Sequence, residues 1–202
     1  MDGIAWAGSA MVAAGDRLEI AAQNLANVST DGFARIAARG RLTPAGVSIA
    51  RDRDAASQGP LRRTGRDLDF AIVGNGTFVV EDGHGRRTAT RAGSFTRERD
   101  GSLRDAGGRT LLAGMRALHV PEGAHVDARG CVVSANGSTL ERIPLPPGSA
   151  LQAGFLEEPA VNAVSEMIDI LRAQRSFESA QKVIFAIDRT REKSSGDVAR
   201  LK

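Results

Sequence analysis

The run IAWAGSAMVAAGDRLEIAAQNLANV, from Ile4 to Val28, decides how the rest of the chain is read. Ile4, Met11, Leu18 and Leu25 recur every seven residues, and Ala7, Ala14, Ala21 and Val28 follow each of them by three. This is an a/d heptad pattern, with large side chains at a and mostly alanine at d. The spacing predicts a helix that starts at Asp2, a suitable N-cap, and runs to about Val28, where Ser29-Thr30-Asp31-Gly32 supplies a stop. Such a helix is roughly 40 Å long at ~1.5 Å per residue, and its period favours a left-handed supercoil. Alanine at d lets a second helix axis approach closely.

The far end of the chain repeats the device. Ile170, Phe177 and Ile184 recur every seven residues, with Ala173, Ala180 and Ile187 three after each. Met167, Leu171 and Val183 widen the apolar face, and Glu166 falls on the preceding d position, where it weakens the seam. Glu178 stands four before Lys182, the favourable orientation for an ion pair along a helix. Ser194-Ser195-Gly196 predicts the end.

Neither helix is built to stand alone. The first carries five large apolar seam residues, worth about 1.5–3 kcal/mol each when fully buried. Ordering its backbone costs about 1–2 kcal/mol per residue, so a solitary helix is marginal in water. Each needs a partner: the other helix, a neighbouring copy of the chain, or the region between them. Heptad regularity favours the first two.

That intervening region reads as β. Phe70, Ile72 and Phe78-Val79-Val80 form short apolar runs around Gly74-Asn75-Gly76. Turn signals follow at Asp82-Gly83, Asp100-Gly101, Gly107-Gly108 and Asn136-Gly137. The last sits between Cys131-Val132-Val133 and Leu140–Ile143, a hairpin pattern. Pro144, Pro146, Pro147 and Gly148 then make a stiff exit. Residues 34–58 are a connector, strand-like only at Val47-Ser48-Ile49. The expected fold is therefore α+β: long N- and C-terminal helices that pair as a coiled coil, with a small all-β domain between them. The expected divisions are residues 1–33, 34–58, 59–148, and 149–202 as linker and second helix.

Composition argues against an enzyme. The 202 residues are 42% hydrophobic and 25% charged, ordinary for a globular chain. No stretch approaches the roughly 18 apolar residues of a membrane span, and the first thirty residues lack the pattern of a cleaved secretory signal. A single cysteine, Cys131, and three histidines, His84, His119 and His125, leave little for metal or acid–base chemistry. The net charge of +3 comes almost wholly from arginine, lysine occurring only at Lys182, Lys193 and Lys202. Those arginines alternate with acids, as in Arg97-Glu98-Arg99-Asp100, which describes a solvated ion-paired surface more than a phosphate-tracking stripe. Aromatics at 4% are thin for stacking on single-stranded nucleic acid.

The short motifs compel no chemistry. Gly74-Asn75-Gly76 lacks the third glycine of a dinucleotide fingerprint, has Val79 in its place, and precedes a strand; it reads as a tight turn. Gly93-Ser94-Phe95-Thr96 lacks the second glycine of a nucleophile elbow. His119 and His125 flank a loop without a recurrent metal spacing, and Cys131 reads as a small buried hydrophobe. No catalytic, cofactor-binding or metal-binding residue is assigned, and no cofactor is expected.

Longer strings are more specific. LEIAAQNLANVSTDGF (Leu18–Phe33) resembles the N-terminal signature of the flagellar basal-body rod and hook protein family. Gln58-Gly59-Pro60-Leu61, Thr64-Gly65, Leu68–Ile72 and Gly74–Phe78 are similar to its central block, which Thr90–Thr96, Asp100-Gly101 and Leu103 continue in order. Gly154–Glu157, Val161-Asn162, Glu166-Met167-Ile168 and Ala173–Glu178 resemble its C-terminal signature. The chain departs from the pattern in being short and in carrying Pro159-Ala160 where polar residues are usual.

This resemblance implies a non-enzymatic axial subunit of the bacterial flagellum, whose terminal helices line a tube and whose β domain lies outside. It implies export through the flagellar type III apparatus without a cleaved signal, location in the periplasm-spanning rod, and termini that become helical on assembly. The implied partners are copies of the chain and other rod and hook subunits, with no nucleic acid and no membrane insertion. A hook protein would carry a much larger outer region; length favours a rod member, proximal over distal. The alternatives are an assembly or capping factor not retained in the finished structure and, more remotely, a basic binding module built on the β domain. The expected assembly interface comprises Ile4, Met11, Leu18, Asn24, Leu25, Asn27 and Val28 at one end. At the other it comprises Met167, Ile170, Ala173, Phe177, Ala180, Ile184 and Ile187. From the residues alone, Asn24 and Asn27 could equally cap, bond to neighbours or face solvent. Arg175 and Glu178 could pair on one helix or bridge copies. Gly32 reads as a left-handed helix stop, and Asp69 and Phe70 as shaping the β domain.

Overall fold

Among the described residues, 3–53 and 58–199, the computed structural model has two helices and fifteen strands. They divide into two units, one joining both helices with residues 35–53, the other holding residues 27–34 and 58–160.

In the helical unit, α1 spans Gly3–Ala26, β1 Ile36–Thr43 and β2 Gly46–Arg53. The strands form an antiparallel hairpin closed by Pro44-Ala45, with Ile36 opposite Arg53 and Thr43 opposite Gly46. Regular structure thus occupies the stretch read as a connector. The second helix, Ala163–Ala199, packs antiparallel against α1. At one end Asn24 bonds to Glu166, and at the other a Cβ on Gly3 would lie 3.3 Å from Ile187.

The boundaries differ from expectation at three places. The first helix stops at Ala26, so Val28 is not a seam residue and Asn27 begins a turn of the other unit. The Asn27 carbonyl accepts from the Thr30 amide at 3.0 Å and its side chain bonds the Thr30 hydroxyl at 3.2 Å, a local alternative to continued helix. Gly32 has φ +70° but is not the helix cap; its amide donates to the Glu157 carbonyl at 2.7 Å, and a Cβ would strike the Ala92 backbone. The last helix runs through Ser194-Ser195-Gly196 to Ala199, since one internal glycine costs only about 1 kcal/mol relative to alanine and removes no donor. Its start is capped by Asn162, whose Oδ1 accepts from the Ser165 amide at 3.0 Å. The expected cap Asp2 lies outside the described residues.

The β unit holds β3 (Leu61–Arg63), β4 (Phe70–Val73), β5 (Phe78–Glu81), β6 (Arg87–Thr90), β7 (Phe95–Arg97), β8 (Leu103–Asp105) and β9 (Thr110–Ala113). After these come β10 (Arg116–Ala117), β11 (His125–Val126), β12 (Cys131–Val133), β13 (Thr139–Arg142), β14 (Ala150–Ala153) and β15 (Phe155–Glu157). The main sheet runs β6-β5-β9-β8-β7 with β10 on β9; β11-β12-β13 form a second, and β14 and β15 return to pair with β4 and β3. The strands therefore continue past Gly148 through residues read as a linker. The second helix, α2 (Ala163–Ala199), follows β15 in the chain.

Alternation builds the core. Phe70, Phe78, Phe95, Leu103, Leu111, Leu118, Val120 and Val132 are fully buried. Phe78 and Phe95 meet edge-on with centroids 5.6 Å apart. Gly74 and Gly76, at φ +91° and +141°, make the turn between β4 and β5. Gly137, at φ +84°, turns β12 into β13. Charges interleaved in sequence are paired in space: Arg86 with Asp82 at 3.1 Å, Arg87 with Glu81 at 2.9 Å, Arg109 with Asp105 at 2.7 Å. Two turn carboxyls sit below the usual range, Asp82 through the Arg86 and His84 amides and Asp100 through the Ser102 hydroxyl and amide. Asp69 is buried beside Phe70, and Cys131 is half-buried.

Candidate assembly surface

Heptad spacing places one narrow row of α2 against α1. Glu166, Ala173 and Ala180 are buried, and Ile170, Ile184 and Ile187 are half-buried. Phe177, in the same row, remains 39% exposed. On α1 the matching d alanines, Ala7, Ala14 and Ala21, are buried, while Ile4, Met11, Leu18 and Leu25 are half-buried.

The first helix also buries Ala13, Ile20 and Asn24, because the hairpin packs against it as well. Ser9 donates to the Trp6 carbonyl and accepts from the Val47 amide at 3.1 Å. Arg51 reaches Glu19 at 2.6 Å, and that hydrogen bond and charge hold its guanidinium above the ordinary arginine range.

The strongest constraint is polar. Asn24 is wholly buried; its Nδ2 donates to the Ile36 carbonyl at 2.9 Å and to Glu166 Oε2 at 3.1 Å, while its Oδ1 accepts from the Ile36 amide at 2.9 Å. Glu166, 1% exposed, takes Arg35 Nε on its other oxygen at 2.6 Å. Asn24 thus neither caps the helix nor faces solvent. Glu166 does not weaken the seam; Asn24 and Arg35 satisfy both of its oxygens, as a buried carboxylate requires. Arg35 was not among the expected residues, and the one available signal was a charged residue on a seam position.

Away from the seam α2 carries an exposed apolar patch. Val164, Met167, Ile168 and Leu171 are 65%, 52%, 44% and 55% exposed, on the first turns of α2 and directed away from α1. Val183 and Phe185 are exposed further along, and Trp6 and Val12 on α1. Met167, Leu171 and Val183 therefore do not widen the seam. Two helices brought together by alanines cover only the a and d rows. Among the described residues Glu178 pairs with neither Lys182 nor Arg175; Asp169 pairs along the helix with Arg172 at 3.3 Å and with Arg35 at 3.6 Å. A shallow groove of about 350 Å³ lies among Ala10, Ala13 and Arg17 of α1, Leu42 and Val47 of the hairpin, and Ser176.

Among the described residues no group of three His, Cys, Asp or Glu side chains converges, and no helix is long and apolar enough to cross a membrane. The arrangement is one of apolar faces and satisfied ion pairs, suited to binding other protein surfaces.

Comparison with known proteins matches three stretches of the chain. The family model described as "Flagella basal body rod protein" matches residues 4–33. "Flagellar hook protein FlgE/F/G D1 domain" matches residues 71–140. "Flagellar basal body rod FlgEFG protein C-terminal" matches residues 152–196. The chain is 26% identical to the flagellar basal-body rod protein FlgG of Agrobacterium fabrum, over 93% of this chain and 96% of that one. It is 28% identical to the rod protein FlgF of Escherichia coli, over 84% and 87%. To the flagellar hook protein FlgE of Rhizobium meliloti it is 34% identical, over 52% of this chain but only 28% of that protein.

Proposed function

We propose, since this chain belongs to the flagellar basal-body rod and hook protein family, that it is a structural subunit of the rod that assembles through its two terminal helices. Similarity over 96% and 87% of two rod proteins, against 28% of a hook protein, supports rod over hook. Short length supports a proximal position. The role is architectural, with no catalytic step and no cofactor.

The observation that carries this reading is the apolar face formed by Val164, Met167, Ile168 and Leu171. A contiguous patch of this kind on an otherwise charged chain marks a protein contact. Pairing of α1 with α2 as a short coiled coil fills the seam, so Ile4, Met11, Leu18, Leu25, Ile170, Ala173, Phe177, Ala180, Ile184 and Ile187 hold the subunit's own helices together. The outer row, Met167 included, meets neighbouring subunits. Those neighbours are copies of this chain and other rod and hook subunits, reached after export through the flagellar type III apparatus to the basal body. Asn24 acts within the subunit, and Asn27 and Val28 shape the turn that leaves α1.

Quantitative mass spectrometry of purified basal bodies tests the proposal. A rod subunit is present in several copies per basal body, in fixed ratio to the other axial proteins. Absence from finished basal bodies, with motility still dependent on the chain, would make it an assembly or capping factor instead.

A further inference from the structure

The heptads that bring the two helices together do not say where along each other they stop. In the observed pairing Gly3 is level with Ile187 and Asn24 with Glu166, the two contacts being 21 residues apart on each helix. Move α2 by one heptad so that Ile187 comes level with Ala10, and Ala173, Phe177, Ala180, Ile184 and Ile187 still face α1. The second helix, at 37 residues, is long enough to keep all 24 residues of α1 covered after such a slip. The slip takes Ile170 past the end of α1 and brings Arg191 and Ser194 onto the seam, while Ala173 to Ile187 go on meeting the large a positions and alanine d positions of α1. Apolar packing alone therefore separates the two registers by about the worth of burying one isoleucine side chain.

We infer that Asn24, Arg35 and Glu166 form a register pin, three positioning residues that select the observed alignment of the helices over the one-heptad slip. Asn24 is immobilised by both backbone groups of Ile36, at the base of the hairpin. It therefore presents its remaining Nδ2 hydrogen at one fixed height on α1. Arg35, on the same base, presents its Nε alongside, and Glu166 occupies both donors with a carboxylate that is 1% exposed. The slip carries Glu166 about 10.5 Å along the axis, past the end of α1, and leaves the buried Asn24 amide facing Ala173. A buried polar group on a coiled-coil seam is the best-attested device for fixing register. Here it also ties register to the hairpin: the pin exists only when residues 35 and 36 are seated on α1. Arg35 also reaches Asp169, one turn further along α2, at 3.6 Å, so the exposed residues of α2 from Val164 to Phe185 take their axial position from this polar cluster.

The test uses the full-length chain with Cys131→Ser and two cysteine pairs. Gly3→Cys with Ile187→Cys bridges in the observed register. Ala10→Cys with Ile187→Cys bridges only after the slip, because in the observed register the two sites are offset by about 10 Å, beyond the ~7 Å Cα reach of a disulfide. Helix content is recorded by circular dichroism before oxidation. The otherwise unaltered chain forms the first bridge alone. Glu166→Ala and Asn24→Ala keep their helix content and form both bridges, about a hundredfold shift in the ratio of slipped to observed product. Glu166→Gln, whose single acceptor oxygen serves Asn24 or Arg35 but not both, gives a ratio between those of the unaltered chain and the alanine variants. The inference is overturned if both alanine variants keep the observed bridge alone, or if both lose helix content, which would make the trio a brace and not a pin. It is also overturned if the unaltered chain forms the slipped bridge as readily, or forms neither.

Discussion

Arg91 donates through Nε to Glu157 at 2.7 Å, and both side chains are nearly buried. The same guanidinium donates to the carbonyls of Ile72, Gly74 and Gly76 at 2.9, 3.2 and 2.8 Å. The second oxygen of Glu157 accepts the Gly59 amide at 3.0 Å. One ion pair thus fastens the β4–β5 turn, the start of β6's exit and the last strand. Removing one partner of a buried pair leaves the other charge uncompensated. Glu157→Ala is expected to lower the stability of the β unit by about 3–5 kcal/mol, read as a fall in denaturation midpoint. Arg91→Lys recovers only part of this, because an ammonium cannot reproduce the planar fork that serves three carbonyls and a carboxylate.

Gly93 sits where two backbones nearly touch. Its carbonyl accepts the Phe70 amide at 2.8 Å, and a Cβ placed on it would overlap the Phe70 carbonyl oxygen. Gly93→Ala must push β4 away from the core and is expected to cost about 3 kcal/mol. Urea denaturation of the variant checks this; a loss below about 0.5 kcal/mol, the range of surface substitutions, would show that the strand shifts freely.

Phe177 and Leu171 separate pairing from assembly. Phe177→Asp puts a charge on the seam side of α2, so helix content falls and the chain fails to incorporate into the rod. Leu171→Asp acts on the outer face, where the residue is 55% exposed. It leaves the circular dichroism spectrum unchanged yet still prevents incorporation. Fractionation of motility-defective cells, with the spectra of both purified variants, distinguishes the two; normal incorporation of Leu171→Asp would remove the outer face from the assembly contact.

Asn162 caps α2 through the Ser165 amide. Asn162→Ala is expected to cost about 1 kcal/mol, and Asn162→Asp to preserve the cap. Amide exchange in the first turn, from Val164 to Met167, should quicken in the alanine variant alone.

The helical part of the fold was legible because a heptad needs only spacing. Ala173, Ala180, Ala7, Ala14 and Ala21 are buried as their positions require. What lay hidden is what spacing does not encode. The hairpin of residues 36–53 is solvated on most of both faces, so its side chains show no alternation for a core to explain. Without it, the second buried row of α1 had no visible partner, and Asn24 remained one polar residue among several. Glu166 and Arg91 were obscured for a related reason: buried charges look like surface charges until their partners, 131 and 66 residues away, are in place. The strands at Ala150–Glu157 escaped notice because the prolines before them suggested a linker, whereas the chain turns back to pair with β3 and β4.

Imaging basal bodies from a strain lacking this chain tests the central claim most directly. The expected result is a rod that stops short, with no hook beyond it, and full length restored by the unaltered chain but not by Leu171→Asp. A complete rod carrying a normal hook in the deletion strain would contradict it.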